Sequence, residues 1–224
     1  HNVAHSFPTR RSSDLLGLPG GDGDWNCFTV LVGKKASADG SVLLAHNEDD
    51  TGRLLVNIHK VPAREFRRGD VFPLRSGFAL AQPAAAPGLL WLEIPEMDFA
   101  DSYVSEHGVA IASDACPSRE DRGELSEGGI GFSLRRLVAE RARTAREGVQ
   151  IAGDLISRLG YNSSGRAYAI ADAGEGWILH AVRGKRWLAA RVPDGEVAVV
   201  ANRYTITRVD LADRSRFLGS ADIV

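Results

Sequence analysis

A thiol at the head of a β-strand, directly behind a segment that can be discarded, has one specific chemical use. If cleavage makes Cys27 the first residue of the chain, its own α-amino group can take the thiol proton and no histidine is needed. An α-amine titrates near roughly 7.7 to 8.0, against about 10.4 for lysine, so much of it is unprotonated at neutral pH. On position alone the commoner use of such a cysteine is as a small buried residue at a strand start. Cys116, the second of only two cysteines, follows a run that reads as a central strand and is expected to be a structural thiol. Two cysteines make no disulfide framework, and no Cys/His spacing resembles a zinc site.

The elements that would position Cys27 are legible around it. Phe28 to Val32 is rich in β-formers, Ala38-Asp39-Gly40 is a turn signal, and Val42 to Ala45 is a second short apolar run, which together predict a β-hairpin. Pairing across that turn returns the far end of the second strand to the start of the first. Cys27 is thereby expected near Asn47, Glu48 and Asp49. Glu48, Asp49 and Asp50 form an acidic triplet that could hold a divalent cation, but three consecutive carboxylates at a strand end cannot all face one ion, so no metal is assigned. Ser113 and Asp114 follow a strand expected at Gly108 to Ala112 and could line the pocket, although a strand-exit turn also accounts for them.

Farther along, a helical block is expected from about Ile130 to Leu159. Within it Thr144-Ala145-Arg146-Glu147 has the form of a capping box, and Val149, Ala152, Ile156 and Leu159 follow at helical spacing up to Gly160. Beyond it, Tyr168 to Ala171, Trp177 to Val182, Trp187 to Val192 and Val197 to Ala201 read as strands separated by turns at Gly174, Gly184 and Gly195, the last delivering Asn202 to a strand end. Trp177 and Trp187 are expected to form a cross-strand aromatic pair. His107 and His180 read as turn or surface residues, and Arg135, Arg136, Arg141, Arg143 and Arg146 as the solvated face of a helix. Strands, helices, then strands again predict a layered α+β domain rather than alternating βαβ units.

Composition sets the outer bounds. The 224 residues are 44% apolar and 25% charged with a formal net charge of -2, the figures of an ordinary globular domain. The weakly acidic balance without a basic block argues against nucleic acid as the main partner, and no apolar run approaches the roughly 18 residues of a membrane helix. A homo-oligomer is compatible with these figures. The segment His5 to Leu15, HSFPTRRSSDL, resembles the translation of a sequencing adapter, and Leu16 to Asn26 is a Gly-rich lead-in. Residues 1 to 26 are therefore expected to be non-native or removed, with the folded unit running from 27 to 224 and incomplete at its C-terminus.

The run Cys27-Phe28-Thr29-Val30-Leu31-Val32-Gly33-Lys34-Lys35-Ala36-Ser37-Ala38-Asp39-Gly40-Ser41, with His46-Asn47-Glu48-Asp49 after it, is similar to the N-terminus of the dipeptidase A family of N-terminal-nucleophile (Ntn) hydrolases. Met97 to Glu120, Leu137 to Glu147 and Ile170 to Asn202 resemble the same family in the same order. The resemblance implies an αββα four-layer sandwich and hydrolysis of dipeptides or short peptides without a cofactor. It implies Cys27 as nucleophile, Asn47 and Asp49 as an Asn-x-Asp element whose aspartate orients the α-amine, and Asn202 as a donor to the nucleophile or the oxyanion. His46 and Asp114 are the candidates for substrate contact, His46 standing where related acylases often carry arginine. The alternatives are an acylase or amidase acting on an N-acylated small molecule, and an inactive fragment or binding module.

Overall fold

A computed structural model describes residues 27–49, 56–94 and 99–223. The chain opens with the hairpin of β1 (Phe28–Val32) and β2 (Leu43–Asn47), followed by β3 (Asn57–Val61), β4 (Arg64–Glu65), β5 (Val71–Pro73), β6 (Ala79–Ala81) and β7 (Ala85–Ala86). Next come β8 (Leu89–Ile94), β9 (Phe99–Ser105), β10 (Ala110–Ala115) and the helices α1 (Ser133–Arg141) and α2 (Ala145–Leu159). The remainder is β11 (Tyr161–Ala171), β12 (Gly176–Gly184), β13 (Trp187–Arg191), β14 (Val197–Val200) and β15 (Phe217–Gly219).

The hairpin forms where the turn residues put it. Gly40 takes φ +80° and Asp39 Oδ1 accepts from the Ser41 amide at 3.0 Å, closing the loop; Thr29 then faces His46 and Phe28 faces Asn47 across the ladder. On its other edge β1 pairs with β14, giving a three-stranded sheet in the order β14-β1-β2. The larger sheet has eight strands in the order β15-β13-β12-β11-β10-β9-β8-β3. Thr144 caps α2 as its sequence predicts, its hydroxyl accepting from the Glu147 amide at 3.2 Å.

Alternation along β11 builds the layers. Tyr168 and Ile170 point to one face and meet Leu137, Val138, Val149, Ala152 and Ile156 of the helices; Ala167, Ala169 and Ala171 point to the other and meet Leu31 and Val200 of the small sheet. Helices, large sheet and small sheet thus supply three layers of the expected four among the described residues. The outer face of the small sheet carries Phe28, Leu43, Val197 and Val199, each 44 to 54% exposed.

Several expectations are corrected. Trp177 and Trp187 do not pair: Trp177 lies opposite Arg191 and Trp187 opposite Ala181, because the short turn after Gly184 sets a register that leaves them four positions apart. Trp187 instead covers Gly153 of α2 and donates from Nε1 to Ser157 Oγ at 2.8 Å. His180 is buried rather than at the surface, its ring edge-on to Tyr204 with the Thr205 amide 3.4 Å from Nε2. Arg135 is fully buried, because Ser113 Oγ accepts from Nη1 at 2.9 Å and the Phe132 ring lies under the guanidinium. Arg136, Arg141 and Arg146 are half-buried, while Arg143 and His107 are exposed as expected.

Candidate active site

Cys27 precedes β1 and inherits its alternation: Cys27, Thr29 and Leu31 face the large sheet and are buried, whereas Phe28 faces outward. The second strand continues the same rule through His46 and Glu48. The thiol donates to Glu48 Oε1 at 3.4 Å, with Asp49 O a second acceptor at 3.7 Å, and the Asp49 amide donates to Sγ at 3.5 Å.

Behind these groups runs a chain of hydrogen bonds. Thr29 Oγ1 donates to Asp114 Oδ2 at 2.7 Å, so its single proton is committed and its oxygen accepts from His46 Nδ1 at 2.8 Å. His46 Nε2 lies 3.2 Å from Glu48 Oε2. The ring is thus held between a hydroxyl oxygen on one nitrogen and a carboxylate on the other. Asp114 Oδ1 is 3.8 Å from the same ring. The relay therefore runs from Asp114 on β10 through Thr29 and His46 to Glu48 and ends on the Cys27 thiol.

Asn202 closes the site from the end of β14. It sits in the left-handed region at φ +53°, a conformation asparagine tolerates better than most residues, and its Nδ2 donates to Ala115 O at 2.8 Å. That bond ties the end of β14 to the end of β10 beside the cysteine.

Electrostatics follow from burial. The Cys27 thiol is pushed up to about 12, first by burial and then by the Glu48 carboxylate, while the Asp49 main chain and the Asn202 side chain pull it back. It is therefore a thiol at neutral pH. The Asp114 carboxyl is pushed up to about 6 by burial; the Thr29 bond and the charges of His46 and Arg166 oppose this, and the charge of Glu48 adds to it. Cys116 is buried in the apolar layer between the sheets and is also pushed up to about 12, chiefly by burial.

Of the residues expected from sequence, Cys27, His46, Asp114 and Asn202 converge. Asp49 meets the thiol through its main chain, with an exposed side chain. Asn47 lies on the exposed outer face opposite Phe28, one position out of phase with Cys27, His46 and Glu48. Asp114 is 1% exposed and braces the site from behind instead of lining it. Asp50 lies outside the described residues. Two members were missed. Thr29 read only as a β-former, and Glu48, although expected near Cys27, was given no role; alternation counted from Cys27 and from His46 places both on the inner face.

Residues 26–224 match the model of the family described as peptidase family C69. The chain belongs to that family. A probable dipeptidase of Latilactobacillus sakei is 28% identical to this C69 chain over 207 residues, 88% of the chain and 43% of the relative. A dipeptidase of Bifidobacterium longum is 31% identical over 217 residues, 84% of the chain and 39% of the relative. Among solved structures, a mutant of the conjugated bile acid hydrolase of Clostridium perfringens superposes with a TM-score of 0.55 at 16% identity, over 81% of this chain and 54% of that one. A second variant of that hydrolase gives a TM-score of 0.54. These likenesses establish the Ntn-hydrolase fold. The C69 chain spans less than half the length of the curated relatives it matches.

Proposed function

We propose that this chain carries the nucleophile-bearing part of a cysteine dipeptidase, with Cys27 as the N-terminal nucleophile once the residues before it are removed. The observation that carries the proposal is the cysteine at the head of β1 with its thiol turned into the polar cluster of Glu48, Asp49 and Asn202. In the processed chain the Cys27 α-amine takes the thiol proton as Sγ bonds to the peptide carbonyl carbon and the carbonyl oxygen becomes an oxyanion. Collapse of that intermediate breaks the C–N bond, the ammonium proton passes to the leaving amine, and a thioester remains. Water, deprotonated by the same amine, then releases the acid and restores the thiol.

A thiol as strongly protonated as Cys27 suits this scheme, in which the proton leaves during attack. One hydrogen of Asn202 Nδ2 is used on Ala115 O, and the side chain also reaches the Cys27 sulfur, beside which the oxyanion forms. The Asp49 carboxylate, on the strand end beside Cys27, is the group assigned to orient the α-amine.

The test is the intact mass and first residue of the purified protein, then hydrolysis of unblocked dipeptides by the wild type and Cys27→Ala. A chain starting at Cys27, active as wild type and inactive as Cys27→Ala, is the expected result. A soluble, folded product that keeps residues before Cys27 and hydrolyses no dipeptide refutes the proposal.

A further inference from the structure

A carboxylate is an unfavourable neighbour for a sulfur that must give up its proton, because its charge opposes the thiolate. Glu48 is nevertheless fixed there, with Oε1 3.4 Å from Sγ and Oε2 3.2 Å from His46 Nε2. Thr29 and Asp114 hold His46 in turn, so the carboxylate stands on a buried brace. Exposure rises along the chain from 1% for the Asp114 side chain to 5% for His46 and 15% for Glu48, which makes Glu48 the one of the three that a solute can reach. Arg166, a further cation in the field of Glu48, is committed to Ser113, donating from Nη1 to the carbonyl oxygen at 3.3 Å and to Oγ at 3.1 Å.

We propose that Glu48 receives the free α-ammonium of the substrate residue whose carbonyl Cys27 attacks, so that the site selects dipeptides with an unblocked amine over N-acylated ones. The assignment of substrate rests on the peptidase reading above. Distances support it. The α-nitrogen of an amino acid lies about 2.5 Å from its own carbonyl carbon, and an attacking atom stands about 3 to 3.5 Å from that carbon. An ammonium at about 2.8 Å from Oε1 closes a quadrilateral with the 3.4 Å separation of Oε1 and Sγ. A cation docked there also neutralises the charge that opposes loss of the thiol proton, so the nucleophile is released from that opposition only when an unblocked substrate is bound.

Two measurements on the wild type, Glu48→Gln and Glu48→Asp test this. In the first, Cys27 is alkylated with 2-bromoethylamine, which is cationic, and with 2-bromoethanol, which is neutral and of the same length, the label being located by peptide mapping. In each case sulfur displaces bromide and the thiol proton goes to solvent. Any change in the thiol itself cancels in the ratio of the two rates. That ratio should fall about ten-fold or more in Glu48→Gln, the size of one charge-assisted contact, and recover in part in Glu48→Asp. Equal ratios in wild type and Glu48→Gln overturn the proposal.

In the second, kcat/KM is compared for a dipeptide and its N-acetyl derivative. The wild type should prefer the free amine by about ten- to a hundred-fold, mostly through KM, and Glu48→Gln should bring the two within about two-fold. Hydrolysis of both at equal rates by the wild type overturns the role of Glu48 while leaving the peptidase reading standing. Hydrolysis of neither overturns the peptidase reading, and the alkylation ratio still decides whether Glu48 is a cation site.

Discussion

Asp114→Asn removes one ionisation from the most buried part of the relay, and burial sets the sign of the effect. The carboxyl titrates near about 6 in the folded protein against 3.8 for an ordinary aspartate. A group whose folded value is raised favours the folded state most below its unfolded value, and that contribution is lost as pH rises through the folded value. The loss therefore falls between about pH 4 and pH 6. At about 1.4 kcal/mol per pH unit, it amounts to about 3 kcal/mol. Urea unfolding of wild type and Asp114→Asn from pH 3.5 to 8 reads the effect as the difference between the two, together with whatever the lost charge does to His46 and Glu48. Wild type should lose about 3 kcal/mol relative to the variant across that window, after which the difference is flat. A flat difference throughout would mean that Thr29, His46 and Arg166 balance burial, and a variant that loses ground as pH rises that they outweigh it; either refutes the reasoning.

Thr29→Val takes the hydroxyl donor from Asp114 Oδ2 and the acceptor from His46 Nδ1 at nearly constant volume; a loss of about 1 to 3 kcal/mol in unfolding free energy is expected, and an unchanged midpoint would refute the relay. Gly153→Ala drives a methyl into the indole of Trp187, which Ser157 holds in place, so a cost of about 1 to 3 kcal/mol with a shifted near-ultraviolet signal is expected, and wild-type stability would contradict the packing. In the unprocessed chain, alkylation of Cys27 by iodoacetamide should rise about ten-fold per pH unit from 7 to 10, since the thiol titrates near about 12; a plateau by pH 9 would show that burial does not dominate there.

The hairpin and α2 were legible because each rests on short-range chemistry: Asp39 and Gly40 close a turn, and Thr144 and Glu147 open a helix. The stretch from β3 to β8 was not read, since strands of two to six residues interrupted by prolines and charges present no period to follow. The strand expected at Tyr168 to Ala171 begins at Tyr161, and the sheet absorbs its polar start with a register shift before Gly165. In the site, residue type and position led to Cys27 and the family resemblance to Asn202, but the face of each strand decided the rest. Counting by two from Cys27 and from His46 brings Thr29 and Glu48 inward and turns Asn47 outward. Arg135 departs from its helical pattern for a different reason. Its burial depends on Ser113, distant in sequence, which no helical pattern reveals.

Ala167, Ala169 and Ala171 are the smallest side chains that could separate the two sheets, and the Thr29–Asp114 bond at 2.7 Å bridges the gap they leave. Those methyl groups work as a spacer whose thickness sets how far β1 stands from β10. A valine at any of the three would remove no polar atom and touch no substrate, yet it would force the sheets apart and stretch the bond that holds His46 and, through it, Glu48 against the sulfur. The tolerance of the chemistry is thereby written into core volume. A mutational scan of this chain should find alanines of β11 behaving like residues of the candidate site itself.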